Sequence, residues 1–271
     1  VRIQIPWSLV QPDNPNQYDW SRIDAVVAAA AKRKIGVLAI LSDTPGWAGD
    51  PPTSGEPDPG AFAAFVGKVA RRYDGKIAAY EVWNEPNQTT FLDPNAPVAY
   101  TALLKAAYGA IKQVDPTLLV VGGVVAAAVT QPGSLHPVEF VQGMYEAGAA
   151  GFFDALSFHP YAYPLGSLFS AGQGWPNSSF SQLAVLRQLM VENGDQDKTI
   201  WATEFGAPTA GGITAQTQAE VIADFLSTWS QFGYTGPMFV HSMRDLADTA
   251  DAEDSFGIFD YQGQPKPGAY V

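Results

Sequence analysis

Glu85 lies in Trp83-Asn84-Glu85-Pro86-Asn87, directly after the apolar run Ile77 to Trp83. Glu204 lies in Thr203-Glu204-Phe205-Gly206, directly after Thr199 to Thr203. Carboxyls at the ends of two strands of one parallel barrel face a shared mouth. Held about 5 Å apart, one can attack the anomeric carbon of a glycoside while the other protonates the leaving oxygen. That division of labour needs one neutral and one charged carboxyl at the same pH, which mutual repulsion and unequal surroundings provide. Arg2, near the start of the first apolar run, is the candidate cation that keeps Glu204 ionised. Glu85, flanked by Trp83 and Pro86, is expected to hold its proton in a less polar setting.

The elements that must position these groups alternate between short apolar runs and segments of period 3.6, the pattern of repeated strand-helix units on a parallel sheet. Seven strands are predicted: Ile3 to Trp7, Gly36 to Leu41, Ile77 to Trp83, Leu118 to Gly122, Ala155 to Phe158, Thr199 to Thr203 and Pro237 to Val240. Each reads as continuous, as strands covered on both faces do. Between them, Ile23, Val26, Val27 and Ala30 share one helix face. Tyr100, Leu103, Leu104, Ala107, Tyr108 and Ile111 share a second, and Ile222, Phe225, Leu226 and Trp229 a third. Ser21 with Asp24 reads as a capping box, and Asp58-Pro59 as an N-cap followed by proline at the first helical position.

Strand starts recur about every 33 to 45 residues, which suits a TIM (β/α)8 barrel. With seven strands visible, the first βα unit and the last helix are expected to lie outside this sequence. A seven-stranded or open α/β sheet is the alternative. No linker, charge block or low-complexity tract divides the 271 residues, so residues 1–271 are expected to form a single catalytic domain.

Composition narrows the partners. Lys and Arg total 15 against 27 Asp and Glu, a formal net charge of -12, so nucleic acid and anionic membranes would be repelled. Neutral, hydroxyl-rich ligands fit better. There are no cysteines, which excludes disulfides, thiolate metal sites and a cysteine nucleophile. No stretch approaches the roughly 18 consecutive apolar residues of a membrane span. A secreted or cell-surface monomer acting on carbohydrate is the expectation.

The segment Tyr80-Glu81-Val82-Trp83-Asn84-Glu85-Pro86-Asn87 resembles the acid/base strand of clan A glycoside hydrolases, family 39 in particular. Val1-Arg2-Ile3-Gln4-Ile5-Pro6-Trp7 resembles that family's second barrel strand, Ser157-Phe158-His159-Pro160-Tyr161 its sixth, and Trp201-Ala202-Thr203-Glu204-Phe205-Gly206 its nucleophile strand. The resemblance covers essentially the whole chain. It implies a retaining mechanism with acid/base Glu85 and nucleophile Glu204. It also implies that Asn84 hydrogen-bonds the sugar 2-hydroxyl and that His159 and Tyr161 sit beside the nucleophile. Phe239-Val240-His241-Ser242-Met243 departs from the family, placing His241 where Trp or Tyr is common.

Sugar rings present apolar faces, so Trp7, Trp47, Phe91, Tyr163 and Trp175 are candidate stacking platforms. Each tryptophan among them has loop packing or barrel-mouth core as its alternative. Trp47 follows a strand within Asp43-Thr44-Pro45-Gly46-Trp47, which brings Asp43 to the same rim, and a groove open at both ends would favour endo action. His136, before Pro137 at a helix start, reads as structural. The acidic stretch Asp245, Asp248, Asp251, Glu253 and Asp254 lacks an EF-hand pattern and reads as a solvated loop. Gly172-x-Gly174 lacks a dinucleotide-binding context, and neither a Gly-x-Ser-x-Gly elbow nor a His-Glu-x-x-His motif occurs. Asn87-Gln88-Thr89 and Asn177-Ser178-Ser179 are formal glycosylation sequons.

The expected chemistry needs no metal or organic cofactor. Two alternatives stay open: a non-catalytic glycan-binding barrel, and a transglycosylase using the same two glutamates.

Overall fold

The computed structural model describes residues 1–171, 174 and 176–271. Strands and helices alternate along the chain: β1 (Arg2–Pro6), α1 (Trp7–Val10), α2 (Ser21–Lys32), β2 (Leu38–Ser42), α3 (Pro59–Arg72), β3 (Ala79–Val82), α4 (Pro97–Lys112), β4 (Leu119–Ala126), α5 (Pro137–Glu146), β5 (Ala155–His159), α6 (Ser179–Glu192), β6 (Ile200–Phe205), α7 (Ala215–Trp229) and β7 (Thr235–Val240), with a closing 3-10 turn at Pro267–Tyr270. All seven predicted strands are present. They pair in parallel and in sequence order, giving a curled, TIM-barrel-like sheet with helices outside and β1 and β7 as its two edges.

β2, β3 and β5 are buried throughout, as their continuous apolar character requires. β1 and β7 are only part-buried because each lacks a neighbour on one side. Most of the core lies between sheet and helices, where Phe62 and Phe65 of α3, Leu103 and Leu104 of α4, Phe140 of α5, Leu186 of α6 and Phe225 and Trp229 of α7 are buried. Asp58 caps α3 as predicted, accepting from the Ala61 amide, with Pro59 at the first turn. The capping box at Ser21 does not form. Ser21 is already helical, its amide is taken by Asp19, and Asp24 instead accepts from Arg72 at 2.9 and 2.6 Å. Val26 is also displaced from the expected core: α2 turns it towards the open side of the sheet, where it is 40% exposed.

Inside the sheet a thin apolar layer is made by Leu38, Ala79, Val121 and Ala155, with Trp201 and Phe239 against it. Side chains repeat on one strand face every second residue, so the next inward positions are Glu81 after Ala79, Ser157 and His159 after Ala155, and Thr203 after Trp201. All four of these polar side chains are buried. The sheet interior therefore changes from apolar to polar within one residue pair, at the carboxyl ends of the strands. In β4 the pairing slips between Gly122 and Val125, where Gly123 takes φ 82° and its amide donates to the Tyr100 hydroxyl at 2.9 Å. A side chain at Gly123 would strike Leu156 in addition to the backbone strain.

Candidate active site

The chain leaves β3 through two left-handed non-glycine residues, Trp83 at φ 70° and Glu85 at φ 40°. Such backbone is strained and clusters at functional sites. The turn sends the two side chains apart. Trp83 is fully buried, edge-on to Phe62 at 5.4 Å, and donates from Nε1 to the Phe91 carbonyl at 2.8 Å. It therefore does not supply the apolar setting expected for Glu85, whose partner is His159. Asn87 anchors the same loop: its side-chain amide donates to the Ala126 and Leu135 carbonyls at 3.0 and 2.8 Å, and its oxygen accepts from the Ala126 amide. Fully buried and triply engaged, Asn87 is a brace rather than an accessible sequon.

Glu204 stands at the end of β6. Arg2 reaches it from β1 with Nη1, while Tyr161 donates its hydroxyl to Oε2 at 3.0 Å. The same guanidinium donates from Nη2 to Asn84 Oδ1 at 3.0 Å and from Nε to Glu81 Oε2 at 2.7 Å. Nδ1 of His159 lies 2.8 Å from Glu85 Oε1 and 3.8 Å from Glu204 Oε2, and Nε2 lies 2.9 Å from Thr203 Oγ1, which is 2.5 Å from Ser157 Oγ. Ligating atoms of Glu85, His159 and Glu204 all fall within 4.8 Å of one another. By distance these three could hold a divalent cation, but the Arg2 guanidinium already paired with Glu204 repels one.

The electrostatics keep Glu204 ionised. Burial alone would push the Glu204 carboxyl up, but His159, Arg2 and His241 outweigh it and hold the group at about 2. Burial likewise opposes charging of His159, and Glu204 and Glu85 overcome it, so the imidazole titrates above its ordinary value. The Tyr161 phenol is pushed well up by burial and by the adjacent glutamates, which keeps it a donor.

Arg2, Asn84, Glu85, His159, Tyr161 and Glu204 thus meet as one cluster, and His241 joins its wall. They open into a cavity of about 1860 Å³ that is also lined by Phe91 and by Tyr163, 56% exposed. The other platforms fall elsewhere. Trp7 is fully buried, stacked on Phe65 at 5.4 Å, with its Nε1 donating to Gln11. Trp47 packs edge-on to Trp7 and donates to the Gln11 carbonyl, away from the cavity. Trp7 opens α1 and packs its ring on Phe62 and Phe65 of α3, with Trp47 against it, where large flat rings seal the sheet-helix core. Asp43, at φ 67° after β2, accepts from Gln4 at 2.9 Å and does not line the cavity; burial pushes its carboxyl up. Trp175 lies outside the described residues.

His136 is structural as read, buried at the start of α5 and accepting from the Val138 amide. Within the acidic stretch, Asp245 is not solvated: Lys266 pairs with it at 2.7 Å, and both side chains are about nine-tenths buried. Glu81, Ser157 and Thr203 were missed as site residues. Their signal was an acid or hydroxyl at an inward position of an otherwise apolar strand.

The cellulase model, glycosyl hydrolase family 5, matches residues 1–236. No curated protein matches the sequence. Among solved structures, the chain resembles a family 39 glycoside hydrolase from the gut symbiont Bacteroides cellulosilyticus WH2, with a TM-score of 0.80 and 22% identity over 98% of this chain and 55% of that one. A monomeric β-xylosidase from Caulobacter crescentus CB15 gives 0.74 and 21%, over 99% and 60%. Xylanase 10B from Thermotoga maritima gives 0.66 and 16%, over 99% and 84%. The chain thus spans between half and two thirds of the length of the first two, and at these identities the likeness is one of fold.

Proposed function

Because the chain belongs to the cellulase family, glycosyl hydrolase family 5, we propose that it hydrolyses β-linked oligo- or polysaccharides with retention, Glu204 serving as nucleophile and Glu85 as acid/base. The observation that carries this reading is the closeness of the two carboxyls around His159, with ligating oxygens inside 4.8 Å. Retaining enzymes hold their carboxyls about 5 to 5.5 Å apart, whereas inverting ones leave about 6.5 to 9.5 Å for a water.

In the first displacement Glu204 attacks the anomeric carbon, the bond to the leaving oxygen breaks, and that oxygen takes the Glu85 proton. In the second, water gives a proton to Glu85 and attacks the same carbon, releasing the sugar and restoring the Glu204 carboxylate. Arg2 and Tyr161 favour this order by keeping Glu204 ionised and aimed. Asn84, bound to Arg2 on the cavity wall, is suited to the sugar 2-hydroxyl. Residues 1–271 act in this reading as one catalytic domain. Phe91 and Tyr163 on the cavity wall offer stacking surfaces for sugar units beside the reacting one, which supports a substrate of several units and internal cleavage.

The test is a hydrolysis screen over aryl β-glycosides and polysaccharides, comparing the wild type with Glu85→Gln and Glu204→Gln. Activity should vanish in Glu204→Gln and return partly in Glu85→Gln when the leaving group is good. Activity indifferent to both changes would overturn the assignment, and binding without turnover would mark a glycan-binding barrel instead.

A further inference from the structure

Glu81 is a carboxylate with no exposure at all, on the inward face of β3, and its one partner among the described residues is Arg2 at 2.7 Å. Its second oxygen, Oε1, has no hydrogen-bond partner. An acid in this position costs desolvation that a Gln, Leu or Met would avoid, so its charge needs an explanation. Arg2 is 11% exposed and divides its three nitrogens among Glu81, Asn84 and Glu204. Without Glu81 the guanidinium would lose the contact that fixes its Nε side.

The charges of the cluster make the case stronger, resting on the double-displacement reading above. In the free enzyme Glu204 is ionised and Glu85 protonated; in the glycosyl-enzyme Glu204 is esterified and Glu85 has lost its proton. Either way the two catalytic carboxyls carry a single negative charge between them. Arg2 is the fixed cation of the cluster and Glu81 its fixed anion at 2.7 Å, so together they add no net charge beside the catalytic pair in either half of the cycle, which avoids an uncompensated charge in a poorly solvated site.

We propose that Glu81 is a positioning residue and buried counter-charge: it fixes Arg2 between Asn84 and Glu204 and sets the pH range over which Glu85 keeps its proton while Glu204 stays ionised. The other groups facing this cluster are His159 on β5, Tyr161 and Tyr163 beyond it, Tyr100 on α4, His241 after β7 and Glu253 at the rim, with Asp43 set back behind Gln4. None of the carboxylates among them contacts Arg2, so none replaces Glu81.

The experiment is the pH profile of kcat/KM on an aryl β-glycoside for the wild type, Glu81→Gln and Glu81→Asp. Removing one negative charge makes the site more positive, so both glutamates lose protons more readily. Both limbs of the bell should move to lower pH in Glu81→Gln, by on the order of one unit. Glu81→Asp, which keeps the charge but shortens the reach, should leave the limbs in place and lower kcat. A fall in activity with unmoved limbs in Glu81→Gln would overturn the proposal, since a merely structural role predicts that result. Should Glu81→Gln fail to fold, carboxyl-carbon NMR of the wild type decides: Glu81 ionised between the two limbs supports the proposal and Glu81 protonated overturns it. Activity that survives Glu85→Gln and Glu204→Gln overturns the parent reading and this one with it. Activity that needs both but keeps its limbs in Glu81→Gln overturns the role of Glu81 alone.

Discussion

Nδ1 of His159 lies 2.8 Å from Oε1 of Glu85, and the ring that carries it is completely buried. A histidine so placed is made more basic by its carboxylate neighbours against the pull of burial, and in turn lowers the cost of ionising Glu204.

His159→Gln should therefore shift the pH profile upwards. Losing a positive charge raises the proton affinity of both Glu85 and Glu204, so both limbs of kcat/KM move to higher pH, opposite in sign to the shift expected for Glu81→Gln. The maximum should fall about tenfold or more, as Glu85 loses a fixed partner. A profile measured across pH 2 to 9 on an aryl β-glycoside checks both, and unmoved limbs would deny His159 this influence.

Tyr161→Phe removes one hydroxyl and keeps a ring that stacks near Phe205 at 6.3 Å and meets Phe256 edge-on at 5.9 Å. A hydrogen bond to a charged group contributes about 1.5 to 3 kcal/mol, so kcat/KM should fall roughly 10- to 100-fold. The melting temperature should hardly change. A loss of stability with intact kinetics would place the hydroxyl among structural groups instead.

Glu204 also links stability to pH. Its folded carboxyl sits at about 2 against an ordinary value of 4.5, so its contribution is full above about 4.5 and is lost as pH falls towards about 2. Urea unfolding at pH 7, 4, 3 and 2 should show wild-type stability falling across this window more steeply than that of Glu204→Gln. Parallel curves for the two proteins would mean that Glu204 is not held ionised.

Trp7 and Tyr163 make a contrasting pair. Trp7→Ala empties a fully buried site among Phe62, Phe65 and Trp47 and should cost about 3 to 5 kcal/mol of stability. Tyr163→Ala acts on a half-exposed cavity wall, should change stability by less than about 0.5 kcal/mol, and should raise KM for oligosaccharides several-fold. Thermal melts and oligosaccharide kinetics on both variants separate core from platform, and an unchanged KM in Tyr163→Ala would remove it from the substrate path.

The seven strands, the helices between them and the two glutamates were legible in the sequence because each is a local signal. Continuous apolar runs mark strands covered on both faces, period-3.6 patterns report which face of a helix is dry, and a polar residue just past an apolar run marks a strand end. The family resemblance, through Ser157-Phe158-His159-Pro160-Tyr161, added His159 and Tyr161 as neighbours of Glu204 because those residues travel with their strand. Tertiary structure alone decided which aromatics face the cavity. Trp7 and Trp47 sit at strand ends as Tyr163 does, yet the helix after β1 folds their rings into the core, and no periodicity records that turn. It alone also decided that Trp83 turns away from Glu85, through left-handed backbone that the side-chain types do not announce. Glu81 lay in plain sight in the most telling segment of the chain. Its meaning waited for the fold because a buried charge is explained only by the charges brought to it from distant strands, here Arg2, 79 positions away, and coulombic contacts depend on separation in space rather than in sequence.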